Sequence, residues 1–287
     1  MLFRSRGFYE QFALYSIVFL IVQGAFYALF RSIANNEHKT KLRLLYQANH
    51  DHLTGLPNRE YLRANIRHWL SGKGNPFSLM FIDIDNFKSV NDTHGHDFGD
   101  EVLKQISIRL NTFVNDGRLI IREASDEFIF LTNRIDEVSV KRLASDLIKA
   151  LSEPYEVNDS QFLLSCSIGI ACYPHHGETL DELLLSADIA MYQAKKQRNV
   201  YSLFNQQMQA THLRKMKIEQ RLRLAIDKQA LHMVYQPQLN LEGDIYGVEA
   251  LIRWSDDELG LVPPSEFIPV AESTGLRSEE HTSELQS

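Results

Sequence analysis

The sequence has 287 residues, of which 44% are hydrophobic and 23% are charged, a composition typical of a folded globular protein. It excludes a disordered chain, a collagen-like fibre and a small scaffold held by disulfides. The 30 basic and 37 acidic side chains give a formal net charge of −7. Because the sequence also lacks a basic stripe with interleaved aromatic residues, we expect no nucleic acid partner.

The first feature along the chain is an uncharged run at residues 11–30 (QFALYSIVFLIVQGAFYALF), after a short tail of residues 1–10. About twenty helical residues rise about 30 Å, the thickness of the hydrocarbon core of a bilayer. Basic residues are fewer before the run than just after it, which predicts a single-pass helix in the inner (cytoplasmic) membrane and a cytoplasmic location for the remainder. A signal peptide and a buried core helix are the alternatives.

A linker helix is expected next, at residues 31–47. Leu42, Leu45 and Asn49 fall along one stripe of this helix. The stripe is too short to establish a coiled coil, but it is consistent with a parallel stalk that joins two copies of the chain.

The two cysteines, Cys166 and Cys172, lie in a segment that alternates like a strand. Six residues of strand span roughly 20 Å, which is too far for a disulfide between them. Both share a face with Leu164, Ile168 and Ile170, so we expect two free thiols in the core of a protein from a reducing compartment.

The middle of the chain predicts an α+β domain with the order β-α-β-β-α-β, the ferredoxin-like arrangement. The expected elements are strand 78–83, helix 99–114, strands 119–123 and 127–132, helix 136–152 and strand 162–171. This topology brings Asp83 next to the 124–127 turn. Paired carboxylates beside a turn are a common way to hold Mg²⁺ against phosphates. The alternative is that Asp83 and Asp85 merely end a strand and Asp126 merely serves a turn.

Five segments in the same region resemble, in order, the motifs of the GGDEF (diguanylate cyclase) family. They are Asp51–Arg59 (DHLTGLPNR), Phe81–Asp92 (FIDIDNFKSVND), Gly95–Asp100 (GHDFGD), Arg122–Phe128 (REASDEF) and Ala187–Lys195 (ADIAMYQAK). The resemblance covers residues 48–201. It implies a palm-like domain that condenses two GTP molecules into cyclic di-GMP, with each subunit of a homodimer holding one GTP.

The resemblance also implies roles for individual residues around a bound Mg²⁺ or Mn²⁺. Asp83, the carbonyl group of Ile84 and Asp126 match the metal ligands. Glu127 matches the acid that helps to activate the attacking 3′-hydroxyl, so Asp126 and Glu127 are the candidate catalytic acids.

The expected substrate-binding residues lie on other motifs. Asn91 and Asp100 match the pair that reads the guanine edge, where a carboxylate can accept hydrogen bonds from two neighbouring N–H groups. Lys88 and Lys195 match basic positions near the phosphates. For Asp100 the alternative is stabilisation of a helix N-terminus, and for the lysines it is ordinary solvation.

Two departures from the family pattern concern activity. The signature pair of glycines is Ala124-Ser125 here, and a Cβ at these positions intrudes where the backbone must approach the nucleotide. We therefore expect a degenerate domain that binds GTP and regulates rather than synthesises. The Lys195–Asn199 segment (KKQRN) is also shorter than the family pattern and lacks its glycine.

Residues 202–276 are expected to contain a linker helix at 212–229 and two strands at 231–239 and 245–254. Tyr235–Gln238, Glu249–Trp254 and Pro263–Leu276 resemble the start of an EAL domain, a (β/α)₈ barrel that hydrolyses cyclic di-GMP. Glu249 matches a metal ligand, and Gln236 and Arg253 match substrate contacts.

A complete barrel needs about 250 residues, so we expect an incomplete barrel that cannot hydrolyse cyclic di-GMP by itself. The polar residues 277–287 resemble no EAL segment, and we interpret them as an artefactual tail. The sequence thus predicts a membrane-anchored GGDEF–EAL signalling protein that works as a phosphodiesterase in its untruncated form. An active diguanylate cyclase and a non-catalytic scaffold are the two alternatives.

Overall fold

The structure, a computed structural model, describes residues 3–70, 76–115, 117–158, 160–241 and 243–276. Within residues 3–22 only the side chain of Phe19 is described. The helices α1 to α8 are Phe3–Asn49, Arg59–Leu70, Phe87–His94, His96–Asn111, Glu137–Leu151, Leu180–Lys195, Gln206–Asp227 and Pro264–Thr274. The strands β1 to β10 are Phe77–Ile84, Arg118–Ala124, Glu127–Thr132, Tyr155–Val157, Ser160–Phe162, Cys166–Tyr173, Tyr201–Leu203, Leu231–Leu239, Ile245–Asp256 and Gly260–Val262.

A five-stranded sheet in the order β2-β3-β1-β6-β7 forms the central layer. Strands β2, β3, β1 and β6 are antiparallel neighbours, and β7 pairs in parallel with β6. The predicted β-α-β-β-α-β arrangement is therefore confirmed, with β7 as an added edge strand. The order of strands places the C-terminal end of β1 beside the turn between β2 and β3.

Strand β1 is buried at all eight positions because helices cover both faces of the sheet. On one face, Met80 and Ile82 pack in a core shared with α4 and α5. On the other face, Leu79 and Phe81 pack in a second core shared with α2 and α6. These two cores hold the end of β1 in a fixed position, and the acidic residues follow there.

Helix α6 packs very close to strand β6. A Cβ atom added to Gly169 would lie 1.9 Å from the carbonyl oxygen of Ala187 and 2.2 Å from the amide nitrogen of Met191. Only glycine allows this approach between a strand and a helix. It sets the distance between the middle of α6 and the sheet.

Several predicted boundaries differ from the structure. The helix expected at 99–114 begins and ends three residues earlier, as α4, because Gly95 separates it from the preceding helix α3. The strand expected at 162–171 is divided into β5 and β6, with β5 paired to β4 in a separate hairpin. Both cysteines are free, as predicted, and pack on the α4–α5 face of the sheet.

The linker helix predicted at 31–47 lies within the much longer helix α1. The transmembrane helix predicted at residues 11–30 also falls within α1, but most of its side chains lie outside the described part of the chain. Among the side chains that are described, no helix is both long enough and apolar enough to cross a bilayer. The structure therefore gives no support to this prediction.

After β7, helix α7 leads to an antiparallel sheet of β10, β9 and β8, against which α7 and α8 pack. Ion pairs fix this arrangement: Arg221 Nε lies 2.5 Å from Asp256, and Lys217 lies 2.8 Å from Glu258.

The strands of this C-terminal sheet pair antiparallel, whereas the core of a (β/α)₈ barrel is parallel. The predicted barrel fragment is thus not confirmed, and the proposed tail at 277–287 lies outside the described residues.

Candidate nucleotide site

The sheet register brings the predicted acidic residues together. Asp83, on β1, is directly opposite Glu127, on β3. The amide of Ile84 donates a hydrogen bond to the carbonyl oxygen of Asp126 at 3.3 Å. The end of β1 and the turn after β2 are therefore neighbours, as the predicted topology requires.

Asp83 is a buried carboxyl group, only 4% exposed, in a cluster of acidic residues. Its Oδ2 atom lies 2.7 Å from Nζ of Lys195. Burial raises the pKa of Asp83 to about 6, because the lowering effect of Lys195 is smaller and the charges of Asp126 and Asp85 raise the pKa further. Asp83 therefore keeps its proton to a higher pH than an ordinary aspartate does.

Glu127 lies in the same electrostatic environment. Partial burial raises its pKa, and repulsion from Asp83, Asp126 and Asp188 raises it further, whereas Lys195 lowers it. A raised pKa means that this carboxyl group keeps its proton to a higher pH than an ordinary glutamate does. This property matches the acid–base role that the resemblance implies for Glu127.

Asp83, Asp126 and the carbonyl group of Ile84 are chemically suited to bind a divalent cation. Carboxylates and carbonyl oxygens are the ligands that Mg²⁺ prefers, and a cation would relieve the repulsion that raises the pKa of Asp83. The two predicted carboxylates and the carbonyl group of Ile84 would hold the ion. Within the described ranges, the structure contains no group of three acidic, histidine or cysteine side chains that could hold a metal, and Oδ2 of Asp83 contacts Nζ of Lys195.

The predicted guanine-reading residues lie on two adjacent helices. Asn91, on α3, has its side chain against Gly99, on α4, where an added Cβ would lie 1.9 Å from Oδ1 of Asn91. Asp100 follows Gly99 directly and is exposed. The absence of a side chain at Gly99 therefore leaves room for the side chain of Asn91 beside the residue that precedes Asp100.

Asp100 and the altered turn line the same cleft, which has a volume of about 440 Å³. The lining residues come from the end of α1, the α1–α2 loop, α4 and the turn after β2: Gln47, His50, Asp51, His52, Leu53, Asn58, Asp100, Arg122, Glu123, Ala124 and Ser125. Ala124 and Ser125 are exposed. Their side chains therefore occupy a position beside the predicted base site.

Arg122 holds the altered turn in place, a role that the sequence analysis missed. Its guanidinium group donates to the carbonyl oxygen of Ser125 at 3.1 and 2.8 Å and lies 2.7 Å from Oδ1 of Asp51. The pKa of Asp51 is lowered, since its hydrogen bonds with Thr54 and Arg122 outweigh the effect of burial. Both Asp51 and Arg122 lie inside quoted motifs, but their contact depends on the folded geometry.

Glu123, next to Arg122, contacts the opposite side of the sheet. One of its oxygens lies 2.9 Å from Arg59 at the start of α2, and burial raises its pKa. Its other oxygen, Oε2, is buried without a hydrogen-bond partner in the described structure. Helix α2, which the sequence analysis did not predict, is thereby connected to the strand that carries the turn.

The remaining predicted residues are less closely assembled. Lys88 is exposed on α3. It does not line the cleft, and neither do Asp83, Asn91, Asp126, Glu127 and Lys195. In the C-terminal sheet, Gln236 and Glu249 are directly opposite on β8 and β9, and both are exposed. Arg253 is half-buried and donates to the carbonyl oxygen of Ile252 at 2.9 Å.

Comparison with known families gives two matches. Residues 48–200 match the family described as "Diguanylate cyclase, GGDEF domain", and residues 219–282 match the EAL domain. The second match extends past Leu276, the last residue of the segment that resembles an EAL domain in the sequence analysis. The matched ranges contain all the residues predicted for the two sites.

The chain is similar to curated proteins that are named for the synthesis or hydrolysis of cyclic di-GMP. The chain is 37% identical over 249 residues to the bifunctional diguanylate cyclase/cyclic di-GMP phosphodiesterase MucR of Pseudomonas aeruginosa, covering 85% of this chain and 36% of MucR. It is 34% identical over 242 residues to the cyclic di-GMP phosphodiesterase PdeR of Escherichia coli, covering 84% of this chain and 37% of PdeR. The chain thus spans little more than a third of the length of these relatives.

Among solved structures, the GGDEF domain of TpbB (YfiN) from Pseudomonas aeruginosa is similar, with 35% identity and a TM-score of 0.53. The match covers 56% of this chain and 97% of that domain. A coiled-coil and GGDEF structure of DgcB from Caulobacter crescentus, 21% identical, has the same fold with a TM-score of 0.57 and covers 62% of this chain and 97% of that one.

Proposed function

Because this chain belongs to the diguanylate cyclase GGDEF family and carries an EAL segment after that domain, we propose that its GGDEF domain binds GTP with Mg²⁺ or Mn²⁺ without making cyclic di-GMP. In this proposal the domain is a sensor of GTP within a cyclic di-GMP signalling protein. A phosphodiesterase reaction would require a complete EAL domain.

One observation carries the proposal. Asp100, which matches a guanine-reading position, lines the same cleft as Ala124 and Ser125, which replace the signature glycines. The cleft therefore contains the carboxylate of Asp100 beside a turn that carries two side chains in place of the signature glycines. A displacement of about 1 Å can reduce a reaction rate by about 100-fold without abolishing binding.

In this proposal, each residue of the site has a separate role. Asn91 and Asp100 would orient the guanine, Lys195 would neutralise phosphate charge, and Glu127 would hold a proton near the reacting hydroxyl. When bound, the metal ion would supply positive charge to the phosphates. Arg122 would hold the turn through the carbonyl oxygen of Ser125.

Isothermal titration of the full chain with GTP and Mg²⁺, together with chromatography of the products, tests both parts. We expect binding heat and no cyclic di-GMP. Formation of cyclic di-GMP would instead establish an active cyclase, the alternative favoured by the retained Asp83, Asp126 and Glu127. Absence of both heat and product would leave a non-catalytic scaffold.

We also propose that the protein acts as a homodimer anchored in the inner (cytoplasmic) membrane. Leu42 and Leu45, on one stripe of α1, are 54% and 51% exposed in the single chain, as a helix pair between two copies would require. The membrane anchor rests on the uncharged sequence at residues 11–30 alone. Membrane fractionation and cross-linking of the full chain test the two points separately, and a protein found in the soluble fraction would contradict the anchor.

A further inference from the structure

Asp85 is a buried carboxylate that has no assigned role in binding or catalysis. It lies just after β1, two residues beyond Asp83, and is 6% exposed. Its Oδ1 atom accepts a hydrogen bond from Ser167 Oγ at 2.7 Å, and its Oδ2 atom accepts one from Ser165 Oγ at 2.6 Å. Both donors belong to β6 or to the residue before it, so these bonds join the ends of two neighbouring strands.

A third hydrogen bond to Asp85 comes from a distant part of the chain. The backbone N–H of Asn199 donates to Oδ2 of Asp85 at 3.2 Å. Asn199 lies in the segment of residues 196–200, which connects α6 to β7 and is the segment that is shorter than the family pattern. A carboxylate two residues from the predicted metal ligand Asp83 therefore binds directly to the backbone of the segment that follows Lys195.

The backbone of this segment has an uncommon conformation. Arg198 and Asn199 have φ values of 57° and 52°, in the left-handed region that non-glycine residues rarely adopt. Such a conformation persists only where the surrounding structure holds it. Besides Asp85, Ser152 contributes by donating from Oγ to Oδ1 of Asn199 at 3.0 Å, and Ile168 by donating its N–H to the carbonyl oxygen of Val200.

We propose that Asp85 is a positioning residue that fixes the 196–200 segment and thereby the end of α6, so that Lys195 faces Asp83. Lys195 is the last residue of α6, and its Nζ atom lies 2.7 Å from Asp83. Without the bond from Asp85, the left-handed pair would be held only by the hydrogen bonds of Ser152, Ile168 and Arg198, and the end of α6 would be fixed less firmly. The inference rests on the proposed function in one respect: the ligand affected would be a nucleoside triphosphate.

Trypsin provides a test that needs no nucleotide, because Lys195, Lys196 and Arg198 are all cleavage sites for this protease. In the full chain, Asp85→Asn should be cut in this segment about tenfold faster than the wild type, the factor expected for loss of a hydrogen bond to a charged group. The matched control is Asp146→Asn, the same change at an exposed position on α5. Equal cleavage of Asp85→Asn and the wild type would overturn the proposal.

Amide hydrogen exchange of the wild type provides a second measurement, which does not depend on whether Asp85→Asn folds. The N–H of Asn199 should exchange at least about tenfold more slowly than an unprotected peptide group, since it donates to a buried charged acceptor. Exchange at the unprotected rate would overturn the proposal.

Nucleotide binding separates this inference from the proposed function. Asp85→Asn should weaken binding of GTP with Mg²⁺ by about tenfold and leave the weak binding of guanosine unchanged, because only the phosphate segment moves. Equal weakening of both ligands would indicate a merely structural role and contradict the proposal. If the wild type binds no GTP, the proposed function fails, whereas the cleavage and exchange results still decide the role of Asp85.

Discussion

The ammonium group of Lys195, at the end of α6, lies 2.7 Å from Oδ2 of Asp83, at the end of β1. This contact joins two motifs that are far apart in the sequence. It places a half-exposed positive charge beside a carboxyl group that is otherwise surrounded by acidic residues.

The first prediction concerns the pH dependence of stability. The pKa of Asp83 is about 6 in the folded protein and 3.8 ordinarily, so folding favours the protonated form. The free energy of unfolding should therefore fall as the pH rises from about 4 to about 6, by roughly 2 kcal/mol for this group. Lys195→Met removes the positive charge that lowers the pKa of Asp83. In this variant the free energy of unfolding should therefore continue to fall above pH 6.

Urea denaturation at a series of pH values measures this effect. Lys196→Met is the matched control, since Lys196 lies over the ring of Tyr192 rather than beside Asp83. The control should keep the wild-type profile. The explanation fails if Lys195→Met and Lys196→Met show the same dependence on pH.

The second prediction concerns the altered turn. Ala124→Gly combined with Ser125→Gly should give measurable cyclic di-GMP synthesis, because the backbone can then approach the nucleotide. Activity would be measured by chromatography after incubation with GTP and Mg²⁺. Adding Asp126→Ala to the double variant should abolish the gain. If the double variant binds GTP but makes no product, the defect lies elsewhere, first of all in the 196–200 segment.

The third prediction uses the contact between two helices. Gly99→Ala should displace the side chain of Asn91, since an added Cβ would lie 1.9 Å from its Oδ1 atom. We expect GTP affinity to fall by about tenfold, as for loss of one hydrogen bond to the base. In an Asn91→Ala background the same change should have little further effect, because the displaced group is absent. If calorimetric titration shows that the losses of GTP affinity caused by the two changes simply add, Gly99 and Asn91 are not coupled.

The fourth prediction concerns the packing of α6 on β6. Gly169→Ala should lower the free energy of unfolding by about 3 kcal/mol or more, because the added methyl group meets backbone atoms that cannot rotate away. Gly247→Ala on β9 is the control, since the nearest atom there is 3.4 Å away and belongs to a flexible glutamine. Thermal or urea unfolding would show the difference, and similar values for both variants would contradict it.

The order of the elements was predictable because each strand and helix has its own hydrophobic period. Strand β1 contains the apolar run Leu79–Ile82, and Glu127–Thr132 is predicted with the boundaries that the structure has. The register that pairs Asp83 with Glu127 follows from that topology. Local patterns therefore account for the position of the acidic residues.

Contacts between distant segments were not predictable. The ion pair of Asp51 with Arg122, the hydrogen bond of Asn199 with Asp85 and the contact of Asn91 with Gly99 each depend on distances set by several packed elements. The spacing of hydrophobic residues along the sequence carries no information about such distances. The start of α4 was also missed, because His96 and Asp97 lie before the apolar residues that mark the helix.

Helix α7 contacts two parts of the protein at different angles around its axis. Lys215 lies over the ring of Tyr192 on α6, whereas Arg221 binds Asp256 in the C-terminal sheet. A helix rotates by about 100° per residue, so the number of residues between these contacts sets the relative orientation of the two domains. Recombination between relatives would preserve that orientation only where their connecting helices differ in length by nearly whole turns.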